Sequence, residues 1–519
     1  MIMRRQNMNS NPHPPGTLRF SRLTLALIMS AATAIAAAAP EQAMRADTPA
    51  DSRPALRFVL TEVIFSDSAF LSKAELAGLS KPYLGHQVGL SEIEELVRAV
   101  NEMYQAKNIS TGLATLSGQT VVDGRVHIDL IEARLGQVKV VSVYTSADYI
   151  LGQFNLKNDR ALDLSQVEQD LSRFNRVHEI QLGAEVKPGD APGLTDLTLN
   201  ATEPDKYQVR LFADNENAPS LGKNEVGVNA SVNGILGHAD VFALMLSKSK
   251  GGDNYFANYG LPFGSGGEQF NAAVSKNNTA ILSGAYSAIN ITGVTDKATL
   301  GVNAPLLANL EWLVAADFNF AKSKSSNYSA GKLLSRFDVD DYSASIAADR
   351  RTAAYQWSDL FQVDYGKAID SLDKHSDYVL YSGNFNAMLP LYGATYGSVR
   401  ANGQFTKAEN LPPSALFQVG GAASVRGYDT GLVTGRDGYA LGLELHNNFA
   451  EGWNGFVFVD HGEAANSNAP KTKISGAGFG VSWTWKTVSS TLTYGHAENI
   501  VRPEQARNNI EFKIEGRIF

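Results

Sequence analysis

The residues best suited to specific chemistry in this 519-residue sequence fall in one short stretch, SVRGYDTG, from Ser424 to Gly431. Two glycines and an aspartate signal a tight turn. Arg426 stands in its middle, followed by Gly427 and Tyr428. A guanidinium at such a place has two uses. It can sit solvated at the tip of an exposed loop. Alternatively, it can grip a carboxylate through two parallel hydrogen bonds, which fixes position as well as contributing energy. The residue types in the stretch leave both open.

Other chemistries find less support. There is no cysteine, which removes disulfides, thiolate metal sites and CxxC redox chemistry together. The nine histidines are scattered, and neither HExxH nor GxSxG occurs. No phosphate-cradling GxxxxGK[ST] loop is present. GAGFG (Gly476–Gly480) resembles a nucleotide loop only superficially, because it lies inside an alternating strand. The sequence therefore reads as a non-enzyme without a metal site or cofactor. The net charge of -8 argues against nucleic acid as a partner.

The elements that must position Arg426 come in two kinds. Arg4, Arg5, Arg19 and Arg22 precede an apolar run from Leu23 to Ala39, the pattern of a secretory signal peptide rather than of an anchor helix. Cleavage is expected between Ala36 and Ala46, so residues 1–46 are read as the signal region. Residues 55–205 mix helical and strand periods. Ile93, Leu96, Val97, Val100 and Tyr104 line one face of a helix over Leu90–Asn108, with Ser91 as its expected N-cap and Glu94 completing a capping box. Val167, Leu171 and Phe174 mark a second helix over Leu164–Val177. Each helix is flanked by strands, so two similar α/β units of roughly 75 residues stand in tandem.

From Lys206 onward helical periods vanish. Segments of ~10 residues alternate apolar with polar or small residues. Leu310, Trp312, Val314, Ala316, Phe318 and Phe320 share one face of a strand, and Glu311, Asp317 and Asn319 share the other. Tyr439, Leu441, Leu443 and Leu445 likewise oppose Ala440, Gly442, Glu444 and His446. Long segments, aromatic ends and a charged or glycine-rich opposite face predict an outer-membrane barrel rather than a soluble sandwich. Both barrel ends must face the side that holds the α/β units, so the strand number must be even. Sixteen are expected, with Ile281–Gly293 as a loop or strand extension.

Several phrases, in order, resemble one family. They are LGAEVKPGDAPGLTDLTL, LFADNENAPSLGKNEVGVNASVNGILGHAD, YGLPFG (Tyr259–Gly264) and LFQVGGAASVRGYDTG. The sequence is similar to the two-partner (type V) secretion transporters of the haemolysin secretion/activation group. That resemblance covers about residues 55–519. It implies two periplasmic POTRA domains, here 55–135 and 136–205, followed by a sixteen-stranded antiparallel outer-membrane β-barrel, 206–519. It further implies a lumen loop after strand eleven, about 407–436, that carries the arginine. Arg426 would then meet Asp460, with Phe458 beside it on the lumen face, while Val457 and Val459 face lipid. A hairpin threaded into a water-filled barrel is expected to lack a hydrophobic core of its own, so this clasp would hold it. Gly427 would allow the turn, and Tyr428 would pack on the wall.

The function implied is recognition and secretion or activation of a large partner exoprotein of haemolysin, haemagglutinin or adhesin type. That cargo would arrive unfolded at the POTRA domains and cross without nucleotide hydrolysis. The alternative is a barrel-assembly insertase of the same superfamily. Two departures stand out. The N-terminal plug helix of several family members is apparently missing, since only a short tail precedes Ala55. Phe519 is out of phase with Phe512, Ile514 and Ile518.

Overall fold

The computed structural model describes residues 57–156, 161–191, 193–284, 287–466 and 470–519. The expected signal segment and the tail before Ala55 lie outside these residues.

The first unit contains β1 (Phe58–Val59), β2 (Glu62–Phe65), α1 (Lys73–Ser80), β3 (Gln87–Val88), α2 (Leu90–Ala106), β4 (Gly112–Thr115) and β5 (Arg125–Glu132). β5 is central, parallel to β2 and antiparallel to β4. The apolar face of α2 drives the fold: Ile93, Leu96, Val100 and Tyr104 are buried against Ile128 and Val126. The cap of α2 differs from the expected one. The helix starts at Leu90 with Gly89 as N-cap, and the Glu92 carboxylate accepts the Gly89 N–H at 2.9 Å. Buried Val88 ends β3 immediately before this point, so the chain turns into the helix two residues earlier than Ser91 would allow.

The second unit contains β6 (Arg134–Val141), α3 (Ala147–Gly152), α4 (Leu164–Val177), β7 (Gln181–Pro188) and β8 (Leu194–Thr202). Its sheet order is β6-β8-β7, which leaves one edge of β7 unpaired among the described residues. Ile150, Val167, Phe174, Leu197 and Leu199 form the core.

The remaining chain closes into a ring. Its first strands are β9 (Tyr207–Asp214), β10 (Glu225–Asn233), β11 (Val241–Ser249), β12 (Gly252–Phe263) and β13 (Glu268–Ala280). Longer strands follow: β14 (Ile291–Ala308), β15 (Trp312–Ser329), β16 (Lys332–Arg351), β17 (Gln356–Asp370) and β18 (His375–Pro390). Then come β19 (Thr395–Thr406), a small hairpin β20 (Phe417–Val419) and β21 (Val433–Gly435), β22 (Asp437–Ala450), β23 (Trp453–Ala465), β24 (Thr472–Trp485), β25 (Val488–Ala497) and β26 (Asn508–Arg517). Sixteen strands form the barrel, and β26 pairs back onto β9. β20 and β21 pair only with each other. Among its described residues, the stretch expected as a loop or extension holds one 3₁₀ turn, Ser287–Ile289, and its end from Ile291 belongs to β14.

Alternation sets which side chains face out. In β15, Trp312, Phe318 and Phe320 stand outward, whereas Asp317 and Ala321 are buried on the lumen side. Leu310 precedes the strand. Two aromatic belts flank the outward apolar band. Near the α/β units, Trp312 meets Trp357 at 5.6 Å and Trp453 meets Trp483 at 6.0 Å. Toward the far end, Phe320, Tyr342 and Tyr365 form a row across three strands. Such girdles mark the two interfaces of a bilayer. At the chain end, Ile518 and Phe519 both pair with Val209 through their backbones.

The second unit docks on the near end of the ring. Arg176 of α4 forms an ion pair with Asp349 of β16. Gln153 donates to the Gly264 carbonyl at 3.0 Å, and the Ser146 N–H donates to Gly237 at 2.8 Å. Tyr149 stacks on His238 of the β10–β11 turn at 5.3 Å and meets the buried ring of His178 at 5.9 Å. Burial pushes the His178 imidazole down to about 4.

Candidate functional site in the lumen

The β19–β22 connection, residues 407–436, folds back into the barrel. Contrary to the expectation of a coreless hairpin, it carries its own apolar cluster. Phe417, Val419, Val425, Tyr428, Leu432 and Val433 are buried together against Ala440, Ala464, Ile474 and Ala497 of the wall. Each such side chain contributes roughly 1.5–3 kcal/mol on full burial. The wall beside the loop is thus closely packed. The alternation of the wall strands supplies small residues there, which leaves room for the loop's larger ones.

Two glycines allow the closest approach. Gly427 has φ +93°, a left-handed conformation, and a Cβ there would stand 2.9 Å from the His496 carbonyl carbon of β25. A Cβ at Gly476 of β24 would overlap the Arg426 carbonyl oxygen. The loop backbone lies flush on the wall, and this closeness aims Arg426 sideways at β23.

Arg426 is 6 % exposed and Asp460 is 0 % exposed. The guanidinium Nε donates to Asp460 Oδ2 at 2.8 Å and Nη2 donates to Oδ1 at 2.9 Å. The Arg426 backbone N–H adds a third bond to Oδ2 at 3.0 Å. Such charge-assisted, bidentate geometry is the strong form of a hydrogen bond. The guanidinium carbon also sits 3.6 Å from the Phe458 ring centroid. Arg426, Asp460 and Phe458 are therefore brought together in the arrangement expected. Tyr428 packs on the wall, with its hydroxyl 2.7 Å from the Ser475 carbonyl and 2.8 Å from Asn499 Oδ1.

Three partners escaped the sequence reading or were undervalued by it. Glu444 of β22 also reaches Arg426, with Oε1 2.6 Å from Nη2. Its other oxygen meets His446 Nε2 at 2.7 Å, and His446 stacks on Tyr396 at 4.5 Å. Arg400 of β19 donates to the Ala422 and Ser424 carbonyls of the loop at 3.2 and 3.3 Å. Its Nη2 lies 3.6 Å from Asp460 Oδ1. Two cations and two carboxylates thus share one pocket, so each charge has a counter-charge. Asp460 stands opposite Gly442 on one neighbouring strand and Gly476 on the other. The missing side chain at Gly442 leaves room for the Arg400 guanidinium, and the one at Gly476 leaves room for the Arg426 backbone. A carboxylate flanked by lumen-facing glycines is the sequence signal that would have found the pocket. Beyond the clasp, Thr430 donates to the Glu216 carbonyl at 2.6 Å and Lys223 pairs with Asp429 at 2.7 Å, tying the loop to the β9–β10 connection.

Ser398 Oγ donates to Glu444 Oε2 at 3.1 Å and lies 3.4 Å from His446 Nε2. Among the described residues no group of His, Asp and Glu could hold a metal ion. What the arrangement does is hold the loop against the wall.

Comparison with known proteins agrees. The family model described as "Haemolysin secretion/activation protein ShlB/FhaC/HecB" matches residues 193–483. A "POTRA domain, ShlB-type" model matches residues 58–133. The outer membrane transporter CdiB of Dickeya dadantii (strain 3937) is 21% identical over 406 residues, 75% of this chain and 72% of that protein. The heme/hemopexin transporter protein HuxB of Haemophilus influenzae is 23% identical over 434 residues, 76% of this chain and 73% of that protein. The structure of CdiB from Escherichia coli superposes with a TM-score of 0.68 at 20% identity, covering 96% of this chain and 97% of that one. BamA from Haemophilus ducreyi, lacking POTRA domains 1–3, shares the fold at a TM-score of 0.56 and 14% identity, covering 89% of this chain and all of that one.

Proposed function

We propose a route for cargo through this chain, which belongs to the ShlB/FhaC/HecB haemolysin secretion/activation family. It is a two-partner secretion transporter of the outer membrane that exports a partner exoprotein. Its α/β units are POTRA domains, and it is not an enzyme. The insertase alternative has only fold-level likeness behind it.

The cargo, still unfolded, adds as a strand to a sheet edge of the POTRA units, for which the open edge of β7 offers unpaired backbone groups. It then enters the lumen. The loop of residues 407–436 blocks the resting pore and withdraws or shifts as the cargo passes, with Arg426, Gly427, Tyr428, Phe458 and Asp460 setting its docked position. Folding of the cargo outside the cell drives transit. The observation that carries this reading is that the loop packs on the lumen face of β22 to β25 without joining the barrel's strand ladder. Apart from the Arg436 N–H to the Ala465 carbonyl at its end, contacts that involve side chains hold it, and those can be exchanged without breaking the ring.

The test is conductance. Deleting residues 408–435 should turn a quiet barrel in a planar bilayer into one with large, noisy conductance. Unchanged conductance would mean that another segment closes the pore. Removing residues 57–205 should leave a membrane-inserted barrel while cargo stays in the periplasm. Normal secretion by that truncation would reject the POTRA units as receptors.

A further inference from the structure

The outward face of the barrel carries a feature that secretion does not use. Above the belt of Phe320, Tyr342 and Tyr365, the same outward positions change from aromatic to charged, and the charges alternate in sign from strand to strand. One row runs Lys276, Asp296, Lys324, Asp338 across β13 to β16, each directly opposite the next in register. A second runs Lys322, Asp340, Lys367, Asp377 across β15 to β18, again in direct register. Eight charges on six adjacent strands follow one rule, lysine on the odd-numbered strands and aspartate on the even-numbered ones.

Their height is set by the strands. Lys322 lies ten residues beyond Trp312 of the near belt, on the same face of β15. At ~3.3 Å per residue and a tilt of ~40°, that is a rise of about 25 Å. The apolar band of an outer-membrane barrel is about as tall. The rows therefore stand at the level of the outer leaflet's headgroups, on the side away from the POTRA units.

Ion pairing among themselves does not account for the rows. Lys276–Asp296 and Lys322–Asp340 are each 3.3 Å apart, and all four side chains stay more than a third exposed. Lys324 enters no ion pair among the described residues, and Lys367 instead lies over the Tyr365 ring at 5.6 Å. Asp338 is drawn to Arg336 at 3.0 Å, and Asp377 accepts from the Tyr365 hydroxyl at 2.9 Å. Exposed pairs of this kind contribute little to stability. Lysines alone would suit any anionic surface, but the interleaved aspartates would repel one. A surface in which phosphates alternate with divalent cations satisfies both: lysine contacts phosphate, and aspartate contacts the metal bridging two phosphates.

We propose that this outward charge ladder on β13–β18 is a docking surface for a phosphorylated glycolipid layer cross-bridged by divalent cations. Annular lipid of this kind is held on one side of the barrel and orders the long strands there.

The test uses the full chain in detergent, exchanged against lipid A or phosphatidylethanolamine in the presence of magnesium, with retained lipid measured by mass spectrometry. Lipid A should be retained and phosphatidylethanolamine should not. Each lysine at an anionic headgroup surface contributes about fivefold. Replacing Lys276, Lys322, Lys324 and Lys367 with Gln should therefore lower lipid A retention by at least ~10-fold. Chelating magnesium should lower it as well. A control with Lys73, Lys81, Lys139 and Lys187 changed to Gln, all exposed on the POTRA units, removes the same charge and should retain lipid A fully. Heat-modifiable gel mobility verifies that each barrel is folded, and Lys324→Gln alone serves if the quadruple variant does not fold. Equal retention by ladder variant and wild type, an equal loss in the control, indifference to chelation, or equal retention of phosphatidylethanolamine would each overturn the proposal.

Discussion

The barrel has two unlike sides. On one, β14, β15 and β16 run 18 to 20 residues, and β15 and β16 are paired along their whole length, from Trp312↔Arg350 to Ser329↔Lys332. On the other, β9 and β26 have 8 and 10 residues and share only the five pairs from Lys513↔Asp214 to Arg517↔Arg210. Each side is reinforced differently. The long side rests on the second POTRA unit through Arg176, whereas Gln153 and Tyr149 of that unit reach the β12–β13 and β10–β11 turns. The short side is braced from within by the lumen loop, which packs on β22 to β25 and reaches the β9–β10 connection. Rigidity on the long side is built into the backbone ladder. On the short side it is lent by side chains of the lumen loop.

Removing the brace should have the largest effect. Breaking a buried ion pair costs ~3–5 kcal/mol, because the surviving charge is stranded. Asp460→Ala leaves Arg426 and Arg400 with Glu444 alone, so it should cut secretion more than Arg426→Ala, which leaves Asp460 beside Arg400. Both should lower secretion at least ~10-fold, since ~1.4 kcal/mol is one decade, while the barrel still inserts. A double-mutant cycle should show the two defects to be strongly non-additive. Lys322→Ala on the long side should leave secretion unchanged. If it matched Asp460→Ala, the two sides would not differ as described.

Acid should act on the joint between the second POTRA unit and the ring. The folded state holds His178 neutral, with its pKa depressed to about 4 from an ordinary 6.5. Its stabilising contribution is complete above pH ~6.5 and is lost as pH falls through that window toward 4, on the order of 3 kcal/mol in all. Calorimetry of the full chain should show the POTRA transition moving down between pH 6.5 and 4. His178→Gln should flatten that dependence. A barrel transition that followed the same acid profile would show the joint and the ring to be one cooperative unit.

The smallest effect belongs to the loop's outer tie. Lys223 and Asp429 are each more than a third or about a third exposed, so their pair contributes ~1 kcal/mol or less. Lys223→Ala should raise hydrogen exchange of the β9 and β26 backbone by no more than about fivefold. Exchange in β15 and β16 should not change. Equal acceleration on both sides would contradict a local brace.

How much of this was legible follows from what encodes it. The ring was legible because period-two alternation, as in Trp312 to Phe320, is written by lipid on one face and lumen on the other. The clasp was legible through phrases shared with a family. The loop's own core was not, because Val419, Val425 and Leu432 show no period, and their burial depends on alanines and glycines contributed by strands dozens of residues away. Arg400 was missed for a similar reason. On β19 it reads as one more polar lumen residue, and only the folded loop brings the Ala422 and Ser424 carbonyls to it. Six-residue α3 is too short to display a helical period. The cap of α2 moved from Ser91 to Gly89 because burial of Val88, not the preference of serine, fixed where the strand ends.

The five-pair seam also has a meaning in time. Neighbouring strands such as β15 and β16 meet across a turn of a few residues. Val209 and Ile518 must find each other across roughly 300, and by the logarithmic law that closure costs about 4 kcal/mol more in chain entropy. The ring is therefore shut last, by its shortest ladder among the described residues, after every other strand has been laid down. Until then β9 and β26 are both edge strands with unpaired backbone groups. During assembly, that interval is when this chain is most exposed to pairing with the wrong neighbour.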